Sequence, residues 1–273
     1  MAVLAVVLGA IVFMVLATTV FGPADEHGAR VEHLTIDSAA VGRELGVSVI
    51  VPAKLPEPRG ERPLLVFLHG RGGSDSTFTG NEAVFAGLAK LGGRAPIVAF
   101  PDGGEHSYWH DRREGAWGRY VMREVIPAVQ RRFGTDPRRI AIGGISMGGF
   151  GAYDLALQHP RRFCAAGGHS AALWFESGET APGAFESPAD FARNDVVGTV
   201  EADPDAFGSM RVWNDYGSDD PFRVYNEGFA ASMERGDADF TTHTSPGGHD
   251  NGYWDAHWAQ YLRFYANSLA HCG

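Results

Sequence analysis

The feature of this chain that most restricts its fold is the alternation of short apolar runs with segments of helical periodicity. The runs are poor in charged residues, as strands must be when helices cover both faces of a sheet. Five runs have this character: Leu64–His69, Pro96–Phe100, Ile140–Ile145, Phe163–Gly168 and Met210–Tyr216. The alternation predicts an α/β fold, in which a mostly parallel central sheet of about eight strands carries helices on both faces.

The helices and the remaining strands are recognised by their periodicity. In Trp117–Phe133 apolar residues recur at every fourth position, and Gly134 then provides a stop. A helix is predicted over Met147–His159, ending before Pro160, and similar stripes, which we interpret as core packing, predict helices over Phe222–Arg235 and Trp254–Leu269. Alternation predicts a half-exposed hairpin at the sheet edge over Val31–Ser38 and Leu45–Val51, and Phe240–Thr244 predicts a last strand.

The stretch between Leu173 and Gly208 is acidic, contains Gly and Pro and has no strong strand pattern. We interpret residues 174–208 as an insertion over one end of the sheet, where α/β folds bind their ligands. Residues 31–270 are predicted to form one domain that includes this insertion, since α/β folds often exceed about 200 residues without splitting.

The sharpest motif is the sequence GISMG at residues 144–148, which joins a predicted strand to a predicted helix. A serine hydroxyl is a weak nucleophile and needs an exposed position on a tight strand-to-helix turn. Glycines on both sides of the serine let the strand and the helix approach each other closely there. The motif therefore predicts Ser146 as a catalytic nucleophile.

A second motif, LHGRGG at residues 68–73, directly follows a predicted strand and lies upstream of Ser146. The negative charge of a tetrahedral intermediate needs preorganised N–H donors, one from the residue after the nucleophile and one from a loop of this kind. The backbone N–H groups of Met147 and Arg71 are therefore the predicted oxyanion hole.

The base is expected to follow the nucleophile and the acid in the chain. His249 lies in the loop SPGGHD, residues 245–250, between the last strand and the last helix, and is the predicted base. The other histidines of this region fit less well, because His243 lies in a predicted strand, His257 in a predicted helix and His271 in the tail.

The acid is expected in the sequence GSDDP, residues 217–221, after the Met210–Tyr216 strand. Asp220 is our first choice and Asp219 the second, with Asp215 as a third candidate. Asp220 also has a competing structural interpretation, because an aspartate before a proline at a helix start is a good N-cap.

From about Leu64 to Leu269 the chain resembles the putative-esterase group of α/β-hydrolases, which includes esterase D-type enzymes, feruloyl esterases and secreted mycolyltransferases. The matching motifs are LHG (68–70), SYWHD (107–111), EVIP (124–127), SMGG (146–149), GSDD (217–220) and GH (248–249). The resemblance implies the α/β-hydrolase fold and favours Asp220, since the acid of this group lies three residues after the glycine. It also implies that Trp109, and with it His69, contributes to substrate binding near the acyl pocket.

The chain departs from particular members of this group. RGGS at 71–74 replaces the cysteine-containing loop of S-formylglutathione hydrolases, and His69 stands where mycolyltransferases often have Asp. The resemblance therefore does not transfer a substrate.

Together these observations predict a serine carboxylic-ester hydrolase that works through an acyl-enzyme and needs neither metal nor organic cofactor. The expected substrate is a small-molecule, lipid or carbohydrate acyl ester. A net charge of −10 argues against nucleic acid as a partner. Three alternatives stay open: an acyltransferase of mycolyltransferase type, a serine peptidase, and an inactive binding module on the same fold.

The N-terminal segment carries no charge from Ala2 to Phe21. About 20 apolar residues can cross a bilayer, so residues 1–24 are predicted to be a signal peptide or a membrane anchor. We therefore expect an extracytoplasmic enzyme, secreted or anchored. The two cysteines, Cys164 and Cys272, either form a disulfide, as is common in exported proteins, or are a buried and a free thiol.

Overall fold

A computed structural model of the protein describes residues 24–55 and 58–272. The predicted signal peptide or anchor therefore lies outside the described residues, except for residue 24. None of the helices in the described ranges combines the length and the apolar character that crossing a bilayer requires.

The described residues form a large sheet and a small one. Eight strands make the large sheet: β1 (Arg30–Ser38), β2 (Arg43–Val51), β3 (Arg62–Leu68), β4 (Ile97–Pro101), β7 (Thr135–Ile145), β8 (Ala165–His169), β9 (Arg211–Gly217) and β10 (Phe240–Ser245). The small sheet contains β5 (Asp111–Arg112) and β6 (Gly115–Ala116). The order in the large sheet is β1-β2-β4-β3-β7-β8-β9-β10. β2 is antiparallel to both of its neighbours, β1 and β4, and the other neighbouring strands of the large sheet, β4, β3, β7, β8, β9 and β10, are parallel. The mostly parallel eight-stranded sheet is confirmed.

Helices connect the parallel strands. Their bounds are α1 (Glu82–Leu91), α2 (Trp117–Tyr120), α3 (Ile126–Phe133), α4 (Met147–Gln158), α5 (Pro188–Arg193), α6 (Val196–Ala202), α7 (Arg223–Met233) and α8 (Asn251–Ala270). Short 3₁₀ turns occupy Gly92–Arg94 and Ser177–Glu179. Helices α1 and α8 pack on one face of the sheet and α3, α4 and α7 on the other, so helices cover both faces as predicted.

The predicted helix Trp117–Phe133 is helical throughout, but its middle part differs from the expected regular form. Residues Val121–Val125 adopt a π-helix between α2 and α3. Pro127 lies two residues after this wider segment, and a proline lacks the N–H of the usual hydrogen bond and its ring clashes with the carbonyl four residues earlier. The widened turn accommodates that proline.

The predicted half-exposed hairpin is antiparallel and lies at the sheet edge, but its exposure was predicted wrongly for the second strand. Val47, Val49 and Ile50 of β2 are fully buried. The reason is that β2 lies between β1 and β4. Of the two hairpin strands, only β1 is an edge strand of the sheet. The alternation of apolar and polar residues along Leu45–Val51 therefore does not indicate a half-exposed strand in this protein.

Candidate active site

Ser146 occupies the turn between β7 and α4, with φ 57° and ψ −116°. A side chain on Gly148 would collide with the carbonyl of Leu68, and one on Gly144 would collide with the backbone of Gly148. The two glycines are therefore needed for the close approach of strand and helix. The Ser146 N–H donates to the carbonyl of His169 at 2.9 Å, and the serine remains partly exposed.

Three polar side chains from three loops form a hydrogen-bonded series. The Nε2 of His249 lies 2.8 Å from the Oγ of Ser146. The Nδ1 of His249 lies 3.0 Å from one carboxylate oxygen of Asp220 and 3.2 Å from the other. The side chain of Asp220 is fully buried, whereas 20% of the His249 side chain is exposed. The structure thus brings together the three residues that the sequence proposed as nucleophile, base and acid.

The surroundings of Asp220 favour its ionised form. Burial by itself raises the pKa of this carboxyl, but hydrogen bonds and charge from His249 outweigh it, helped by the backbone N–H of Phe222 and the hydroxyl of Ser170. The net pKa of Asp220 therefore lies below its ordinary value. A carboxylate that stays ionised is suited to hold an imidazole in one orientation and to stabilise it when it is protonated.

The predicted oxyanion donors belong to the residue after Ser146 and to the residue after Gly70. Met147 is the first residue of α4, where the N–H group has no carbonyl partner within the helix. Among the described residues, the backbone N–H of Arg71 also has no hydrogen-bond acceptor. The preceding residue, Gly70, lies against Ser146, since a Cβ added to it would be 3.4 Å from the Ser146 Cβ. Both donors are therefore free for an anionic oxygen near Ser146.

The other candidates for acid and base lie elsewhere. Asp219 is exposed, and Asp215 is buried and binds a different histidine, His169, at 2.5 Å. His243 lies within β10 and is exposed, and His257 lies within α8, where its Nδ1 is 2.6 Å from the carbonyl of Tyr253. His271 follows the end of α8.

Trp109 and His69, the two predicted substrate-binding residues, are both buried. Trp109 is 0% and His69 1% exposed. The indole N–H of Trp109 donates to the carbonyl of His69, and the Nε2 of His69 accepts the N–H of Gly103 at 2.9 Å. Burial lowers the pKa of His69, which keeps the ring neutral for this contact. Both side chains thus hold the loops after β3 and β4 together, and a contribution to substrate binding stays a prediction.

Two aromatic residues at the site were missed. Phe222 and Trp254 each lie 5.2 Å from the ring of His249, measured between ring centres. The sequence interpretation assigned both to the core stripes of their helices. Each stands at the beginning of its helix, directly after the loop that carries Asp220 or His249, and that position was the available signal.

The first residues of the predicted insertion, Trp174 and Phe175, lie beside the candidate active site. The ring of Trp174 lies 5.7 Å from that of Phe222, and Phe175 lies 5.0 Å from Tyr225. Phe175 is 45% exposed, which is unusual for a phenylalanine of this protein. Residues 174–208 contain a 3₁₀ turn, α5 and α6 but no strand, as predicted.

The fold is that of the α/β-hydrolases. The chain belongs to the putative-esterase family, whose model matches residues 38–265. The structure of a ferulic acid esterase superposes with a TM-score of 0.76 at 23% identity, covering 89% of this chain and 98% of that one. At this identity the likeness concerns the fold alone.

Two curated relatives add sequence similarity. An esterase of Mycobacterium tuberculosis is 30% identical over 157 residues, which cover 54% of this chain and 33% of that protein. The diacylglycerol acyltransferase/mycolyltransferase Ag85A of Mycobacterium ulcerans is 25% identical over 213 residues, covering 73% of this chain and 56% of that protein. The matched segment therefore spans a third of the length of the first relative.

Proposed function

We propose that the protein hydrolyses carboxylic esters through an acyl-enzyme on Ser146. The observation that carries this proposal is the unbroken series of hydrogen bonds from Ser146 through His249 to Asp220, with distances of 2.8 and 3.0 Å. An inactive binding module on the same fold would not need this hydrogen-bonded series with its ionised acid. It would also not need two free backbone N–H donors next to the serine.

In the first step the Ser146 oxygen attacks the carbonyl carbon of the ester while Nε2 of His249 takes the serine proton. The imidazolium that forms is stabilised by Asp220, and the N–H groups of Met147 and Arg71 bind the carbonyl oxygen as it becomes negative. The intermediate then breaks the bond to the leaving alcohol, which receives the proton from Nε2. Water repeats the sequence on the acyl-enzyme, releasing the acid and restoring Ser146.

The surroundings of His249 support an ester with an apolar or aromatic group. Phe222 and Trp254 flank His249, and the insertion continues this apolar border with Trp174, next to Phe222, and with the exposed Phe175. The structural likeness to a ferulic acid esterase supports the same class of small ester. A lipid or carbohydrate acyl ester remains within this proposal.

Acyl transfer is the second candidate, supported by the similarity to Ag85A. The same acyl-enzyme would then be attacked by an alcohol in place of water. Adding a graded concentration of an alcohol to the assay and measuring free acid and new ester separately distinguishes the two. Ester formation that saturates with alcohol at the expense of acid would identify a transferase, whereas undiminished acid release identifies a hydrolase.

The decisive test is Ser146→Ala. The variant should lose about 10³-fold or more of the kcat for nitrophenyl esters and all labelling by a fluorophosphonate, because Ser146 is the only hydroxyl of the described residues that hydrogen-bonds His249. Ser76→Ala, which removes an exposed hydroxyl in another loop, serves as the matched control and should keep both. Unchanged thermal unfolding would show that the fold is intact. Activity of Ser146→Ala above about a hundredth of wild type would point to a different nucleophile.

We also propose that residues 31–270 form the catalytic domain and that residues 1–24 direct it out of the cytoplasm. The disulfide between Cys164 and Cys272 supports an oxidising compartment. Fractionation of the full-length protein, followed by an alkaline carbonate wash and N-terminal sequencing, should give either a cleaved secreted chain or an uncleaved membrane-bound one. Recovery of the uncleaved chain from the cytosol would contradict both.

A further inference from the structure

A second histidine–aspartate pair lies buried beneath the candidate active site. The Asp215 carboxylate accepts hydrogen bonds from His169 Nδ1 at 2.5 Å and from the indole of Trp213 at 2.8 Å through one oxygen. Its other oxygen accepts from the hydroxyls of Tyr261 at 2.7 Å and Tyr253 at 3.1 Å. We call these five residues the Asp215 cluster.

Packing alone gives no reason for such a cluster. Asp215 is 2% exposed, and its four donors come from β8, β9 and two separate turns of α8. Taking a carboxylate out of water costs several kcal/mol, which hydrogen bonds of good geometry can offset but which apolar side chains would avoid altogether. A role in fixing the positions of its donors would explain why a charged group is kept here.

The cluster is connected directly to the nucleophile and the acid. The backbone carbonyl of His169 accepts the N–H of Ser146 at 2.9 Å, and the backbone carbonyl of Asp215 accepts the N–H of Ser170 at 2.6 Å. The Ser170 side chain in turn lies close enough to Asp220 to help lower the pKa of its carboxyl. One short segment, residues 169–170, therefore links the Asp215 cluster to both catalytic loops.

The cluster is also connected to the loop of the base. Tyr253 lies in the first turn of α8, and its backbone N–H is capped by the side chain of Asp250, the neighbour of His249. The ring of Tyr253 packs on Gly247, where an added Cβ would lie 2.8 Å from it. The Tyr253 hydroxyl thus ties the start of α8, and with it the His249 loop, to Asp215.

We propose that Asp215 is a positioning residue that holds the loops of Ser146, Asp220 and His249 in one mutual geometry, acting through His169 and Tyr253. The inference rests on the proposed function. A displacement of about 1 Å between reacting groups can cost about 100-fold in rate, so a shared anchor for three loops has a direct effect on kcat. The effect on KM should be small, because no member of the cluster touches the substrate.

The test uses Asp215→Asn, which keeps the shape and removes the charge, and Tyr253→Phe, which removes one donor. Tyr153→Phe is the matched control: its buried hydroxyl donates to the Trp213 carbonyl at 2.7 Å and does not reach the Asp215 carboxylate. Turnover of a nitrophenyl ester is measured well below the unfolding temperature of each variant. The rate is then divided by the number of active sites, which is counted by fluorophosphonate labelling.

Per labelled site, kcat should fall about 10- to 100-fold in Asp215→Asn and about 3- to 10-fold in Tyr253→Phe, with KM within about twofold of wild type. In the Asp215→Asn background, Tyr253→Phe should add less than about a twofold loss, because the hydroxyl acts through the carboxylate. Tyr153→Phe should keep its kcat even where its unfolding temperature falls.

Wild-type kcat per labelled site in both Asp215→Asn and Tyr253→Phe, or equal losses in Tyr153→Phe, would overturn the positioning role. Such a result would leave the proposed function intact as long as Ser146→Ala stays inactive. If Asp215→Asn does not fold, the pair Tyr253→Phe and Tyr261→Phe replaces it, and wild-type kcat in their combination overturns the proposal equally.

Discussion

The backbone of Ser146 is held in a conformation that non-glycine residues rarely adopt, with φ 57° and ψ −116°. Such a conformation costs about 1–3 kcal/mol and persists only where neighbours determine it. Here the Ser146 N–H donates to His169, and its carbonyl accepts the N–H groups of Phe150 and Ala172 at 3.1 and 3.0 Å. The hydrogen bonds fix both sides of the residue, so its hydroxyl points out of the turn toward His249.

Asp220 reconciles two interpretations that competed at the sequence level. Its carboxylate accepts the N–H of Phe222 at 2.8 Å, which is a turn contact just before α7, and it also accepts from Nδ1 of His249. A carboxylate has about four acceptor positions, so both contacts can be made at once. The contact with Phe222 fixes the carboxylate in place for the contact with His249.

The two adjacent aspartates provide a discriminating pair of variants. Asp220→Asn should lower kcat by about 10³–10⁴-fold, since His249 would lose the charge that orients it. Asp219→Asn should remain within about threefold of wild type, because within the described ranges the exposed Asp219 side chain hydrogen-bonds only Ser218. Steady-state kinetics with one aryl ester measures both. The reverse ranking would assign the acid to Asp219 and leave Asp220 as a turn residue.

At the scale of helices and strands, the sequence correctly predicted those elements whose structure depends on residues close by in the chain. The run Ile140–Ile145 and the glycines around Ser146 predict a strand, a tight turn and a helix, and β7 and α4 have this arrangement. The positions of these residues depend on contacts within a few residues, which periodicity and glycine spacing report.

Elements decided by distant contacts were less predictable. The burial of β2 depends on its pairing with β4, and helix α1 was not recognised although Val84, Phe85 and Leu88 form its buried stripe against α8. Two hydrogen bonds of the Asp215 cluster, to His169 and to Tyr261, each join residues 46 positions apart, so no local pattern reveals the cluster. Sequence periodicity carries no information on such tertiary partners.

Helix α4 contains a buried acid outside the candidate site. Burial raises the pKa of Asp154 to about 7, although Gln158 donates to both of its oxygens at 2.9 Å and opposes the rise. The unfolded chain releases this proton near pH 4. Between about pH 4 and 7 the folded state therefore holds a proton that the unfolded state lacks, and the free energy of unfolding falls as pH rises.

Asp154→Asn removes this dependence. Relative to wild type, the variant should gain stability from pH 5 to pH 8 by a few kcal/mol at most, since one pKa unit corresponds to about 1.4 kcal/mol. Denaturant unfolding of both proteins at the two pH values measures the gain, and pH 5 serves as the internal control because wild-type Asp154 is protonated there. An equal stability difference at both pH values would show that Asp154 is ionised in the folded protein at pH 5.

At the scale of the whole molecule, the last helix links the candidate site to the chain end. The first turn of α8 carries Tyr253 and Trp254 beside His249, and its far end is followed by Cys272. Cys272 forms a disulfide with Cys164, which directly precedes β8, and their Cα atoms are 5.8 Å apart. Ser146 lies at the carboxyl ends of the parallel strands, whereas the disulfide lies at their amino ends.

The disulfide should therefore stabilise the protein without affecting its chemistry. It joins residues 108 positions apart, and closing so long a loop in the unfolded chain is worth about 3–5 kcal/mol. The double variant Cys164→Ser and Cys272→Ser should then unfold about 6–15 °C lower than wild type, while kcat at 25 °C stays within about twofold. Thermal unfolding with and without a thiol reductant, together with ester kinetics, measures both quantities.

The double variant itself is the control, because reductant should lower the unfolding temperature of wild type only. An unfolding temperature that is the same for wild type and variant, or a kcat that falls with the bridge, would contradict a purely stabilising role at the far edge of the sheet.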